Sequence, residues 1–357
     1  FESAGFTVVR SGATTGAITA QALEMFSAET CFPIKLVYGH VQTLLNRHVD
    51  YIFLPSLIKV ANPEDDDTEG TFICPYVQSV GSQIQGRFDF AAEGVRFVNP
   101  PISLSDSVSA RRQKLKSLAR EFGLSDREFN TAVDQGIKAY RAYRKAVQEA
   151  GRIALENLGE HEKMLVVVSR PYNGFDRRLS LELPEKIRNL GLKAIPLDFL
   201  PLEEKGGEFP FMYWSYGRKI MQAADYIRRE PNLFAVYITS FGCGPDSFIT
   251  HFFRKQMAGK PHLQLELDEH SADAGMITRC EAFVDSLRFY NFMPPITTFN
   301  VAQEAFRPFE KTIYIPNMCD HAYALRASFA RYGLTAEVLD EPEDRKSTRL
   351  NSSHGKL

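Results

Sequence analysis

The run Met164-Leu-Val-Val-Val-Ser169 restricts this chain more than any other stretch. It is apolar without alternation, the pattern of a strand covered on both faces, and such strands belong to parallel sheets flanked by helices. The pattern that follows repeats this logic. The sequence predicts a helix over about 178–190 closed by Gly191, a strand over Lys193 to Leu197, a Gly-Gly loop and a helix from Trp214 to Arg229. A strand over Leu233 to Thr239, a helix after Pro245, a strand over His262 to Glu266 and a helix from Ala272 to Leu287 complete the series. Strands alternating with helices of this length define a doubly wound α/β domain.

The first hundred residues carry a weaker version of the same pattern. Phe6 to Arg10 reads as a short strand ended by Ser11-Gly12. Ile34, Val37, Val41, Leu44 and Leu45 stand at helical spacing, and Tyr51 to Leu54 is a short strand closed by Pro55. Residues 62–70, with Asp65, Asp66 and Asp67, read as a solvated loop, because the alternating ligands of an EF-hand are absent. Residues 103–158 hold no proline and repeat apolar side chains every three or four, a helical hairpin.

The expected fold class is therefore α/β, with two doubly wound (Rossmann- or flavodoxin-like) domains and a helical segment between them. The expected boundaries are 1–102 for an N-terminal α/β domain lacking its first strand, 103–160 for the helical insertion, and 161–342 for the second α/β domain. The last range includes the start of a further unit at Thr312 to Ile315, Asp320 to Tyr332 and Ala336 to Leu339. Residues 343–357 are polar and aperiodic and resemble translated adapter sequence, so they are expected to be an artefactual tail. A chain of 357 residues exceeds one core of typical size, in keeping with more than one domain.

Charge excludes several partners. The formal net charge is -2 and no basic block occurs, so neither nucleic acid nor an anionic membrane surface is indicated. No window reaches the ~18 apolar residues of a membrane span, and no signal-peptide order opens the chain, so a cytoplasmic location is the default expectation. Five cysteines in so long a chain do not make a secreted disulfide framework.

Three of those cysteines share a context. Cys31, Cys74 and Cys243, in Cys31-Phe-Pro33, Cys74-Pro75 and Gly242-Cys-Gly-Pro245, each precede a proline suited to the first turn of a helix. A thiol at a helix N-terminus has its pKa lowered toward the metal-binding thiolate, so three such termini can converge on one anionic group. Gly242 and Gly244 let backbone approach a bulky ligand in a loop that follows a strand. The competing reading is three buried core cysteines, since no C-x-x-C spacing joins them. Cys280 sits within a helix and reads as core or surface; Cys319 is a weak candidate for a fourth ligand.

Other polar clusters leave alternatives open. Glu266, Asp268, Glu269 and His270 close a strand and can hold a metal, a proton relay or a substrate, while Ser271 and Asp273 can simply cap the next helix. Arg170, after the first strand of the second domain, can bind a phosphate or carboxylate or pair with a nearby acid. His40 lies on a helix and reads as a satisfied core histidine. Neither a Gly-x-x-x-x-Gly-Lys-Ser/Thr loop nor a Gly-x-Gly-x-x-Gly turn is present, so an ATP site would reside elsewhere.

Seven stretches in order resemble a known family: Ser27-Ala-Glu-Thr-Cys-Phe-Pro-Ile-Lys35, Gly39-His-Val41, Phe53-Leu-Pro55, Cys74-Pro-Tyr-Val-Gln78, Arg170-Pro-Tyr-Asn173, Phe241-Gly-Cys-Gly-Pro-Asp-Ser247 and Leu265-Glu-Leu-Asp-Glu-His-Ser-Ala-Asp-Ala-Gly275. They are similar to the acyl-CoA dehydratase activase-related proteins, relatives of the 2-hydroxyacyl-CoA dehydratases and double-cubane cluster proteins. The resemblance implies a [4Fe-4S] cluster held by Cys31, Cys74 and Cys243 and low-potential electron transfer in anaerobes. It implies a place in an ATP-dependent reductase or acyl-CoA dehydratase system, with an activator ATPase module or subunit as partner and an acyl-CoA or other small-molecule substrate. Glu266, Asp268, Glu269, His270 and Arg170 are then expected to line the adjacent cleft, the four residues 266 and 268–270 as catalytic candidates. The alternative is a non-catalytic docking module that holds zinc or nothing.

Overall fold

The computed structural model describes residues 1–26, 30–60, 71–202, 209, 212–291, 312–317 and 319–339. The chain forms two compact units, Phe1–Thr297 and Thr298–Leu357. The architecture is mixed α/β, and every strand pairing between named strands is parallel.

The first unit opens with α1 (Gly16–Met25), capped by the Thr15 hydroxyl, and α2 (Phe32–Leu45). Two short strands follow, β1 (Tyr51–Phe53) and β2 (Ser56–Lys59), then α3 (Pro75–Arg87), β3 (Arg96–Val98) and β4 (Pro101–Ser103). β1 pairs with β3 and β2 with β4, and the amides of Leu54 and Ser56 bond to the carbonyls of Val98 and Pro100 between them. Pro55, which has no N–H to give, separates β1 from β2 without changing the register, which shifts only between Leu57 and Lys59. Phe6 to Arg10 is extended but is not a strand: no neighbouring strand among the described residues takes its backbone groups, and Val8 and Val9 stay exposed. α2, α3 and β1 bury Ile34, Tyr38, Val41, Leu45, Ile52, Val80 and Ile84 together.

Two helices come next, α4 (Val108–Glu121) and α5 (Asp126–Glu156). Ser125 and Glu128 cap the start of α5 reciprocally, so the sequence stops one helix and starts the next within a few residues. The expected helical hairpin is present.

The larger sheet has strand order β6-β5-β7-β8. Its strands are β5 (Met164–Ser169), β6 (Lys193–Pro196), β7 (Leu233–Ser240) and β8 (His262–Leu267); between and after them run α6 (Pro171–Phe175), α7 (Leu183–Asn189), α8 (Ser215–Arg229), α9 (Gly244–Gln256) and α10 (Asp273–Leu287). Alternate residues of β5 divide between two cores. Met164, Val166 and Val168 pack with α8 and α9, while Leu165 and Val167 pack with α7 and α10. This is why the run at 164–168 shows no period of two. Cys280 lies in the second core.

The helix expected over 178–190 begins later, at Leu183. Asp176 Oδ1 accepts the N–H groups of Arg178 and Leu179, and Leu181 and Glu182 adopt left-handed φ values of 49° and 55°, so a turn replaces its first part. Its end follows the sequence: Gly191 at φ 85° closes it with amide bonds from Gly191 to Arg188 and from Leu192 to Ile187. The second unit, taken by itself, contains β9 (Ile313–Ile315), α11 (His321–Arg331) and β10 (Ala336–Val338), with β9 and β10 paired. The Asp65 to Asp67 loop, Ser27 to Glu29 and residues 343–357 lie outside the described residues.

Candidate functional site

Cys31, Cys74 and Cys243 are the N-cap residues of α2, α3 and α9, and each helix has proline in its first two positions. Local sequence accounts for this: proline needs no hydrogen bond for its missing N–H in the first turn, and its φ is already helical. The cysteines are 7%, 5% and 7% exposed, and none is in a disulfide. The fold brings them into mutual electrostatic range, for Cys31 feels both Cys74 and Cys243. The N–H groups of Ile34 and Asp246, each the third residue of its helix, face the sulfurs of Cys31 and Cys243.

The thiol pKa values of Cys31 and Cys243 run opposite to the sequence expectation. Burial pushes Cys31 up, with the Ile34 amide opposing and Cys74 adding to the rise. Burial pushes Cys243 up to about 12, helped by Asp246 and opposed by Arg170. Desolvation by neighbours from several elements outweighs the helix N-terminus.

The strand order places Arg170 and Cys243 side by side. β5 leads outward to β6 on one side and β7 to β8 on the other, so the carboxyl ends of β5 and β7 flank the switch in direction where ligands of open α/β sheets bind. Arg170 is the N-cap of α6 after β5, and Cys243 follows β7. Arg170 is 0% exposed, and its Nε donates to Asp246 Oδ1 at 2.9 Å; Thr239 donates to Asp246 Oδ2 at 2.8 Å. Burial works against the guanidinium, yet Asp246 more than offsets it and keeps the charge. Thus Arg170 pairs with an acid, one of the two readings its sequence left open.

Arg170 Nη1 and Asn173 Nδ2 are buried without a hydrogen-bond partner, and the Thr30 hydroxyl is directed at the Cys31 sulfur. Asn173, 2% exposed, accepts from Ser240 through Oδ1 and so is tied to the loop of Cys243. Unmade donors in a dry site cost about 1–3 kcal/mol each unless something accepts them. Together with three helix N-termini they suit an anionic group, and a thiolate-bound cluster with its sulfides is one. Gly242 takes φ 73°, and a Cβ on Gly242 or Gly244 would meet open space, so this loop leaves room beside Cys243. Among the described residues no three His, Cys, Asp or Glu side chains stand close enough to grip a single metal ion. Exposed Phe241 and Phe248 border the same loop.

The acidic stretch after β8 disperses. Glu269 pairs with Lys35 of α2 at 2.6 Å, both nearly buried. Asp268 accepts from Ser271 at 2.8 Å and from the His270 amide, which lowers its pKa, and the His270 side chain is 84% exposed. Glu266 lines a polar depression of about 350 Å³ with Arg254, His262, Gln264 and Arg279. Asp273 pairs with Lys186, and no side chain caps α10. Cys319 belongs to the second unit and contacts His321. Sequence reasoning missed Thr30, Asn173 as a donor, Thr239 and Asp246; only the proximity of Asp246 to Cys243 hinted at the last.

An α/β protein with parallel sheets and three helix-capping cysteines, one of them at the carboxyl edge of the four-stranded sheet, is the class that fold and site define. The profile described as "CoA enzyme activase uncharacterised domain (DUF2229)" matches residues 1–200, more than half of the 357, and the chain belongs to that family. The match includes Cys31, Cys74 and Arg170 and ends before Cys243. No curated protein shows a significant match to the chain. No described helix is long and apolar enough to cross a membrane.

Proposed function

We propose that Cys31, Cys74 and Cys243 hold a [4Fe-4S] cluster and that the chain is an electron-transfer component of an ATP-driven system related to the 2-hydroxyacyl-CoA dehydratases. The observation that carries this reading is the repeated device of cysteine N-cap plus proline on three helices whose thiols share one dry site. When bound, such a cluster supplies one-electron transfer at low potential. The chain's own residues supply the rest: Arg170, Asn173 and Thr30 offer hydrogen bonds to its sulfides, and burial keeps water away. The zinc alternative has less support, because one zinc ion needs a tighter ligand set than any found among the described residues, whereas a cubane is wider.

The partner in this reading is an activator ATPase module or subunit, with Phe241 and Phe248 as an apolar rim for it beside Cys243. An acyl-CoA is the substrate class, the setting is anaerobic, and the location is cytoplasmic. We extend the same proposal to the fold: residues 1–102 and 161–342 as two doubly wound, Rossmann- or flavodoxin-like domains around a helical insertion at 103–160, with 161–342 including the start of a following unit. The order β6-β5-β7-β8 with helices on both faces supports it for the second.

Anaerobic reconstitution with iron and sulfide tests the cluster. The parent protein is expected to turn brown and hold about four irons; Cys243→Ala is expected to lose most of them, and Cys280→Ala none. Equal iron in Cys243→Ala and parent overturns the assignment.

A further inference from the structure

A second group of reactive side chains lies nine residues along α2 from Cys31, about 13 Å of helix rise. Both ring nitrogens of His40 are engaged, Nδ1 with Ser11 Oγ at 2.9 Å and Nε2 with Thr14 Oγ1 at 3.0 Å. Thr14 Oγ1 in turn donates to Asp176 Oδ2 at 2.5 Å. A hydroxyl has one proton. Thr14 commits its own to the carboxylate, so its oxygen accepts from His40, and Nε2 carries the ring proton. Nδ1 is therefore a bare acceptor, and Ser11 directs its O–H to it. Every proton in the row Ser11, His40, Thr14, Asp176 points toward the acid.

That is the polarity of a serine–histidine–aspartate triad, with the ring nitrogens exchanged and a threonine inserted before the acid. We propose that Ser11 is an activated nucleophile, with His40 as its general base, for acyl transfer from esters or thioesters. Thr14 and Asp176 are positioning residues that fix the tautomer. Ser11 is half-buried, Gly12 and Ala13 are exposed, and a Cβ on Gly12 would meet open space, so a carbonyl has access. The amides of Gly12 and Ala13 donate to no group among the described residues and are on hand for the oxyanion. Burial holds His40 below the ordinary histidine range, with Asp176 opposing, so the ring is a neutral base near pH 7.

The step balances without a redox partner. Ser11 Oγ bonds to the acyl carbon while its proton moves to His40 Nδ1. The bond to the leaving thiolate or alkoxide breaks, and the leaving group takes that proton. Water then cleaves the serine ester by the reverse path, giving a carboxylic acid and free Ser11. None of this involves the cysteines, so it stands or falls apart from the iron–sulfur reading.

The test treats the full chain, with and without iron, with a fluorophosphonate probe and maps the adduct by peptide mass spectrometry. Ser11 is expected to be labelled at least about 100-fold faster in the parent than in His40→Gln, with Thr14→Val also slowed. Hydrolysis of p-nitrophenyl acetate and of an acyl thioester is expected to vanish in Ser11→Ala. Circular dichroism checks each variant, and Thr14→Val, which preserves shape, decides the matter if His40→Gln does not fold. No adduct on Ser11 in folded parent protein, or equal labelling rates in the folded variants, overturns the proposal.

Discussion

Arg170 shows how much of the site rests on one pair. Its guanidinium has lost all contact with water, and Asp246, gripped by Arg170 and Thr239, is its counter-ion. Removing one partner of a buried pair leaves an uncompensated charge and costs about 3–5 kcal/mol, whereas replacing both with apolar groups is often neutral. Asp246→Asn is therefore expected to lower the urea midpoint strongly, and Arg170→Met with Asp246→Leu to recover most of it; a midpoint for Asp246→Asn equal to the parent's contradicts the account. The sequence offered an acid partner for Arg170 but could not name one separated by 76 positions. The cysteines teach a similar lesson. Their place at helix starts was readable because proline marks the first turn, but the pKa direction of Cys31 and Cys243 was not. Burial by residues from other elements, invisible in local sequence, outweighs the local dipole.

Among the elements, α1 and α2 meet with unusual intimacy. A Cβ on Gly39 would stand 2.3 Å from the Ile18 carbonyl oxygen, a backbone atom that cannot swing aside. Only glycine lets α1 approach so closely that Thr14, just before the cap of α1, reaches His40 on α2. Gly39→Ala is expected to force the helices apart, at about 1–3 kcal/mol in denaturant unfolding, and to weaken the Thr14–His40 bond with it. An unchanged unfolding midpoint rules out the close contact. Elements were most legible where burial is two-sided, the apolar repeat is long or punctuation is strong: β5 as an unbroken apolar run, α5 from apolar side chains every three or four without a proline, and α7's end from Gly191. They were least legible where pairing depends on distant chain. Phe6 to Arg10 has strand residues but no described neighbour to complete a ladder, and the first part of the 178–190 segment yields to side-chain bonds from Asp176.

Across residues 1–297, the cysteines come from two regions of the chain. Cys31 and Cys74 belong to the helices around β1, and Cys243 to the loop of the four-stranded sheet. Without a bound group these regions already touch through Thr14 and Asp176, Lys35 and Glu269, and the Phe72 carbonyl with the Ser215 amide. Such contacts are individually modest, since each side chain or amide exchanges water for protein. A cluster held by all three thiols would be a cross-link between the regions and would bind only the folded chain. Mass action then requires it to stabilise the fold, by about 2.7 kcal/mol when the free components stand at 100 times Kd, or roughly 4 °C in Tm for a chain of this size. The loaded protein is expected to unfold at a higher temperature than the metal-free one and to resist proteolysis in residues 1–60, while Cys74→Ser shows neither change. Full iron content with an unshifted Tm would mean that the iron is held by fewer than these three thiols, because a group attached to one region alone leaves the junction as weak as before.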